Sequence, residues 1–168
     1  MTIALGDRIP SVTVKRVTAE TTEDIDSIAF VGTGMVAFFT VPGAFTPTCH
    51  LNHLPGYIER ADALFAAGID KIVCGAVNDH HVMKAWGNQS GAFPMLEMLS
   101  DVRGNLARAM GLAKEFGDLG LRFARSSLLI NHGIVESVTL ETASGPVLKT
   151  GADALLGAMN AHRLVGTA

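Results

Sequence analysis

The apolar run Met35-Val36-Ala37-Phe38-Phe39-Thr40-Val41 passes directly into Pro42-Gly43-Ala44-Phe45-Thr46-Pro47-Thr48-Cys49, and this passage constrains the fold more than any other. The run reads as a buried strand. Pro42 and Gly43 end it. Thr46 is a good helix N-cap and Pro47 a good first helical residue, because the missing proline N–H has no helical partner to lose. Thr48 is then the second helical position and Cys49 the third. The sulfur falls in the first turn, beside unpaired backbone N–H groups and the positive end of the helix dipole. Such a place favours the thiolate, which is the nucleophilic form.

Further elements follow by the same reasoning. Ser11 to Val17 alternates and predicts a strand at a sheet edge. Thr18 to Asp26 is polar and reads as a turn with a short second strand. The helix that starts at Pro47 meets Pro55, where a kink or break is expected. It resumes through Tyr57 to Phe65 and stops at Gly68. Lys71 to Val77 is another apolar strand. Asp79 caps a helix running to about Asn88. Met98-Leu99-Ser100 is a short strand, and Asn105 to Met110 a short helix ending at Gly111. Ser126 to Ile130, the turn His132-Gly133 and Ile134 to Leu140 form a β-hairpin. Thr150 opens a final helix with Asp153 as an approximate capping box. Leu155, Leu156, Met159 and Leu164 supply its apolar face. Strands alternating with helices and a late hairpin indicate an α/β layered domain with a mixed sheet flanked by helices. No repeat or linker divides residues 1–168, which are expected to form one domain.

With 168 residues, 48% hydrophobic and 17% charged, the chain can bury a core without metal or disulfide staples. A net charge of −3 gives no electrostatic case for nucleic acid or an anionic membrane as partner. No apolar run reaches the length of about 18 residues that a membrane span requires. The first residues lack the basic start and apolar core of a signal peptide, so a cytoplasmic location is expected. Of the two cysteines, Cys74 lies in an apolar strand and reads as a buried core residue.

Pro42-x-x-x-Thr46-x-x-Cys49 resembles the signature of the peroxiredoxins. The longer string Val41 to Cys49, with His53-Leu54-Pro55-Gly56 after it, resembles the peroxiredoxin-5 branch, which includes plant type II and many bacterial enzymes. The resemblance continues at Val77-Asn78-Asp79, Val82 to Trp86, Leu99-Ser100-Asp101 and Arg125 to Ile130, and spans roughly residues 3–160. It implies a thioredoxin-like fold and a thiol-dependent peroxidase of antioxidant defence, acting on hydrogen peroxide and alkyl hydroperoxides. Cys49 would be the peroxidatic nucleophile, passing from thiolate to sulfenic acid. Thr46 would contact the thiolate and a peroxide oxygen, besides capping the helix. The backbone N–H groups of Cys49 and Thr48 would bind peroxide at the helix N-terminus. Pro42 would shield the sulfur from water. Arg125 aligns with the arginine that completes the site; Arg122 is the rival, less favoured because Arg125 directly abuts the strand. A guanidinium keeps its charge and offers a fixed fork of donors. The family also implies a homodimer, no metal or other cofactor, and an external thiol reductant: glutaredoxin with glutathione, or thioredoxin. His50 and Leu51 depart from the usual family residues after the nucleophile, as Asn131-His132 do in the hairpin turn. No cysteine follows Cys74, so an intramolecular resolving partner is not expected unless Cys74 serves after local unfolding.

Other readings of the same residues are weaker. Cys49, His50 and His53 are close in sequence, yet structural zinc usually needs four ligands in paired spacings, and no second pair is evident. Threonine at the first position of Thr46-x-x-Cys49 argues against dithiol exchange. The non-enzymatic alternative is a redox-sensing or chaperone-like protein switched by oxidation of Cys49.

Overall fold

The computed structural model describes residues 1–141 and 147–166. Its centre is a seven-stranded mixed sheet. The strands are β1 (Thr13–Val17), β2 (Thr22–Asp26), β3 (Met35–Thr40), β4 (Lys71–Ala76), β5 (Leu96–Ser100), β8 (Ser126–Asn131) and β9 (Ile134–Leu140), in the order β2-β1-β5-β4-β3-β8-β9. Strands β3, β4 and β5 run parallel, while β8 lies antiparallel to β3 and β1 antiparallel to β5. A separate two-stranded sheet joins β6 (Ala113–Glu115) to β7 (Leu121–Phe123). The expected edge position of β1 is not found: polar β2 takes the edge, and β1 sits inside with Val14 and Val17 buried.

Two apolar layers sandwich the sheet, as the period of two along each strand requires. Ala37 and Phe39 of β3 and Cys74 of β4 face one layer, shared with α2 (Leu54–Glu59), α3 (Ala61–Ala66), α4 (His80–Ser90) and α6 (Ala152–Gly166). Val36, Phe38 and Val73 face the other, shared with α1 (Ser27–Val31) and α5 (Asn105–Ala109). Burial on both faces explains why β3 and β4 are continuous apolar runs rather than alternating ones. Helix α4 begins at Asp79, whose carboxylate accepts from Val82 N (3.0 Å), and ends at Gly91 in the left-handed region.

Two helices differ from expectation. Pro55 does not break the chain's path. A π-helical segment, Cys49–His53, precedes it, and the Leu54 N–H reaches back to Cys49 O before α2 continues. The wider register lies one residue ahead of Pro55, where a missing N–H would otherwise interrupt an α-ladder. The break falls later, at Arg60 (φ −98°, ψ 5°). Helix α6 begins two residues after Thr150, and the Thr150–Asp153 capping box is not formed. The Thr150 hydroxyl donates to Glu141 instead, and Asp153 pairs with Arg60 (2.9 Å). Leu155 and Met159 are buried on the inner face of α6, with Leu156 packed beside them. Leu164 lies outside the residues whose side chains are described.

Candidate active site

The segment that carries Cys49 is held at both ends. Strand β3 ends at Thr40, and the chain turns through Pro42 to Phe45. Asn78, between β4 and α4, accepts from Ala44 N (2.8 Å) and so ties this turn to the neighbouring crossover. Phe45 has φ 62°, a left-handed conformation that is uncommon for a non-glycine residue. The Thr46 carbonyl accepts the first helical bond, from His50 N at 2.8 Å. The amides of Thr48 and Cys49 therefore precede that bond and remain at the helix mouth. The Thr46 hydroxyl does not cap the helix. It donates to Gly43 O (2.7 Å), which leaves its oxygen lone pairs available as acceptors. Cys49 is fully buried in the apolar layer that also holds Val41, and Pro42 is buried too.

Arg125 reaches this sulfur because of strand register. Strand β8 is antiparallel to β3, with Ser126 opposite Thr40, so the residue ahead of β8 lies at the end of β3 where the loop to Cys49 starts. The Thr40 hydroxyl donates to Ala124 O (2.7 Å), and Arg125 O accepts from Glu141 N (3.0 Å). With its backbone pinned on both sides, Arg125 donates from Nη2 to Cys49 Sγ (3.1 Å) and from Nη1 to His53 Nδ1 (2.9 Å). Arg122, the rival, turns its Nε to Leu119 O (2.9 Å) and makes no bond to the sulfur. The arrangement gives the sulfur a fixed cationic neighbour and places amide N–H groups at the helix mouth. It is chemically suited to hold a thiolate and to bind charge that develops on a nearby oxygen.

His53, read from sequence only as a doubtful metal ligand, is the second polar anchor. Arginine cannot accept, so Nδ1 must; Nε2 then carries the proton and donates to Thr150 O (2.9 Å). Burial, chiefly, and then the Arg125 charge push its pKa down from 6.5 to about 4, although the Thr150 carbonyl acts in the opposite direction. The ring is neutral at physiological pH. Phe39 supports it from below (centroids 4.9 Å apart) and stacks on Tyr57 (3.8 Å, interplanar angle 4°). His50 lies apart from this cluster: its Nδ1 accepts from Trp86 Nε1 (3.0 Å), and Phe45 packs against both rings. Among the described residues no group of three or more His, Cys, Asp or Glu side chains is placed to hold a metal ion. His53 and Asn78 each stand within quoted motif strings, but nothing in the spacing shows what they bind.

Cys74 shares an apolar layer with Cys49 and is wholly buried. Burial, and then the charge at Cys49, push its thiol well above the usual range, while Arg125 opposes this. Two surface clefts, of about 480 and 470 Å³, include neither Cys49 nor Arg125 among their lining residues.

The family model described as Redoxin matches residues 4–156. Peroxiredoxin-2B of Arabidopsis thaliana is 36% identical over 160 residues, covering 94% of this chain and 98% of its own. Chloroplastic peroxiredoxin-2E-2 of Oryza sativa subsp. japonica is 39% identical over 165 residues, covering 94% of this chain and 73% of its own. Among solved structures, reduced Prx3 of Vibrio vulnificus in complex with hydrogen peroxide superposes with a TM-score of 0.89 at 36% identity, covering 96% of this chain and 99% of that one. The chain belongs to the redoxin family, and its mixed sheet with helices on both faces is the thioredoxin-like fold. Within that family it is a peroxiredoxin, an antioxidant thiol peroxidase that takes a peroxide as substrate and a thiol as reductant.

Proposed function

We propose that Cys49 is the peroxidatic cysteine and that an external thiol recycles it. The observation that carries this reading is the 3.1 Å contact between Arg125 Nη2 and Cys49 Sγ at the mouth of a helix. The thiolate attacks one oxygen of the peroxide. A sulfur–oxygen bond forms as the O–O bond breaks, sulfur is oxidised to sulfenic acid, and the second oxygen leaves as water or alcohol after taking up a proton. Arg125 and the amides of Thr48 and Cys49 stabilise charge on the peroxide oxygens as the O–O bond lengthens. Thr46, its own proton committed to Gly43 O, accepts a hydrogen bond from the peroxide hydroxyl. Pro42, which is buried and lacks an N–H, keeps water away from the sulfur.

The substrates are hydrogen peroxide and small alkyl hydroperoxides. Glutaredoxin with glutathione, or thioredoxin, reduces the sulfenic acid. Support for an external reductant comes from Cys74, which is buried and held as the thiol, a poor attacking group. No metal or other cofactor takes part in this reading. A homodimer belongs to the same proposal, supported by exposed Phe45 on the nucleophile loop, and sedimentation tests it. A cytoplasmic location is likewise proposed, and cell fractionation tests it.

The experiment is rapid quench of reduced protein with one equivalent of hydrogen peroxide, read by intact mass. Conversion of Cys49 to sulfenic acid far faster than free cysteine is expected. Oxidation no faster than free cysteine would remove Cys49 from this role and favour the redox-sensing alternative.

A further inference from the structure

Behind the guanidinium lies a second set of polar contacts that leads out to the C-terminal segment. It begins at Glu141, the residue after β9. Its carboxylate accepts from Lys149 N (3.1 Å), Thr150 N (3.2 Å) and the Thr150 hydroxyl (2.8 Å). These bonds hold Thr150, which is fully buried, with its carbonyl turned toward α2. There the carbonyl accepts from His53 Nε2 (2.9 Å) and from the Tyr57 hydroxyl (2.9 Å). Tyr57 has spent its proton, so Ser127 donates to the phenol oxygen (2.8 Å). Every polar side-chain atom buried among the described residues has a partner.

We propose that Glu141 and Thr150 are positioning residues for Arg125. The carboxylate fixes the Thr150 carbonyl, the carbonyl fixes the His53 proton on Nε2, and bare Nδ1 holds one arm of the guanidinium so that the other faces Cys49. The proposal rests on the reading that Arg125 serves the Cys49 thiolate. A carbonyl only accepts, so it selects one imidazole tautomer. The opposite tautomer would set an N–H against the guanidinium N–H and release that arm. An arginine side chain has several free torsions, and a donor fork acts on a reacting atom only when those torsions are locked. Burial alone would raise the Glu141 carboxyl, but the donors from Lys149, Thr150 and Leu148 outweigh it and hold the group below its ordinary range. It is therefore ionised, and a full acceptor, at neutral pH.

Two rates measured on reduced full-length protein test this: alkylation of Cys49 by iodoacetamide at neutral pH, and its oxidation by hydrogen peroxide. Glu141→Ala is expected to slow both about tenfold. Glu141→Gln, which keeps an acceptor for Thr150, is expected to recover to within about threefold of the unaltered protein. Asp153→Asn removes the Arg60 ion pair, another tether of the same segment, without touching the Thr150 carbonyl. It should move neither rate. The sign separates positioning from loosening: Cys49 is fully buried, so a looser structure alkylates faster, not slower. Thr150→Val provides a second variant if Glu141→Ala does not fold, with about threefold slowing expected. Alkylation of Glu141→Ala at the unaltered rate or faster, or equal slowing in Asp153→Asn, would overturn the proposal. Slow oxidation of the unaltered protein would count against the peroxidatic reading, and the alkylation comparison would still decide the positioning role.

Discussion

Arg125 stands 76 residues from Cys49 in sequence and 3.1 Å away in space. Lysine at that position would offer a point charge on a flexible stem, unable to bind His53 and the sulfur together. Arg125→Lys is expected to slow peroxide oxidation of Cys49 on the order of a hundredfold, with an unchanged circular dichroism spectrum; near-normal kinetics would remove Arg125 from the site. His53 makes a different prediction, about stability. Its folded pKa is depressed to about 4 from an ordinary 6.5, so only the unfolded chain takes up this proton between those values. The contribution is whole above pH 6.5 and is lost as the pH falls toward 4, by about 3 kcal/mol in total. Urea unfolding across this range should show that slope, and His53→Asn should flatten it. An identical slope in the variant would show that other groups carry it. The place of Cys49 in the first turn of a helix after β3 was legible because it follows from local chain geometry, whereas the Thr46 cap expected from the same geometry is replaced by a bond to Gly43 O. The partner of His53 was not, because both its hydrogen bonds cross between elements.

Elements whose ends carry their own signals were read well. Asp79 does cap α4, and the turn His132-Gly133 does join β8 to β9. Elements that answer to neighbours were read less well. The Thr150 hydroxyl would suit a cap, but a carboxylate brought close by β9 binds it instead. The pattern of β1 fits an edge or an interior strand, and only β2 pairing decides between them. Short β6 and β7 carry too few residues for a periodic signal. Two glycines after helices test how far such ends depend on distant chain. Gly91 and Gly111 have φ of 75° and 68°, but an added Cβ meets nothing within 4 Å at Gly91 and lies 2.3 Å from Met1 O at Gly111. Gly91→Ala is expected to cost about 1 kcal/mol, from the backbone alone. Gly111→Ala should cost about 3 kcal/mol, because the N-terminal segment must also shift. Equal losses in thermal or urea unfolding would show that the N-terminal contact contributes nothing.

At the scale of the molecule, the sheet sets what each cysteine does. Cys74 lies mid-strand in β4, buried and held protonated, while Cys49 sits past the end of β3 within reach of Arg125. Cys74→Ser is therefore expected to keep turnover with an external thiol. Loss of turnover with the first oxidation retained would make Cys74 the resolving residue. The sequence by itself determined the layered class and the strand–turn–helix setting of Cys49, because proline and glycine preferences act within a few residues. Only the tertiary structure decided which groups surround the sulfur. Antiparallel pairing of β8 with β3 delivers Arg125, packing of the Cys49–His53 segment on β3 delivers His53, and the bonds of Glu141 beyond β9 deliver Thr150. Those contacts depend on register and packing between distant segments, which no local preference encodes.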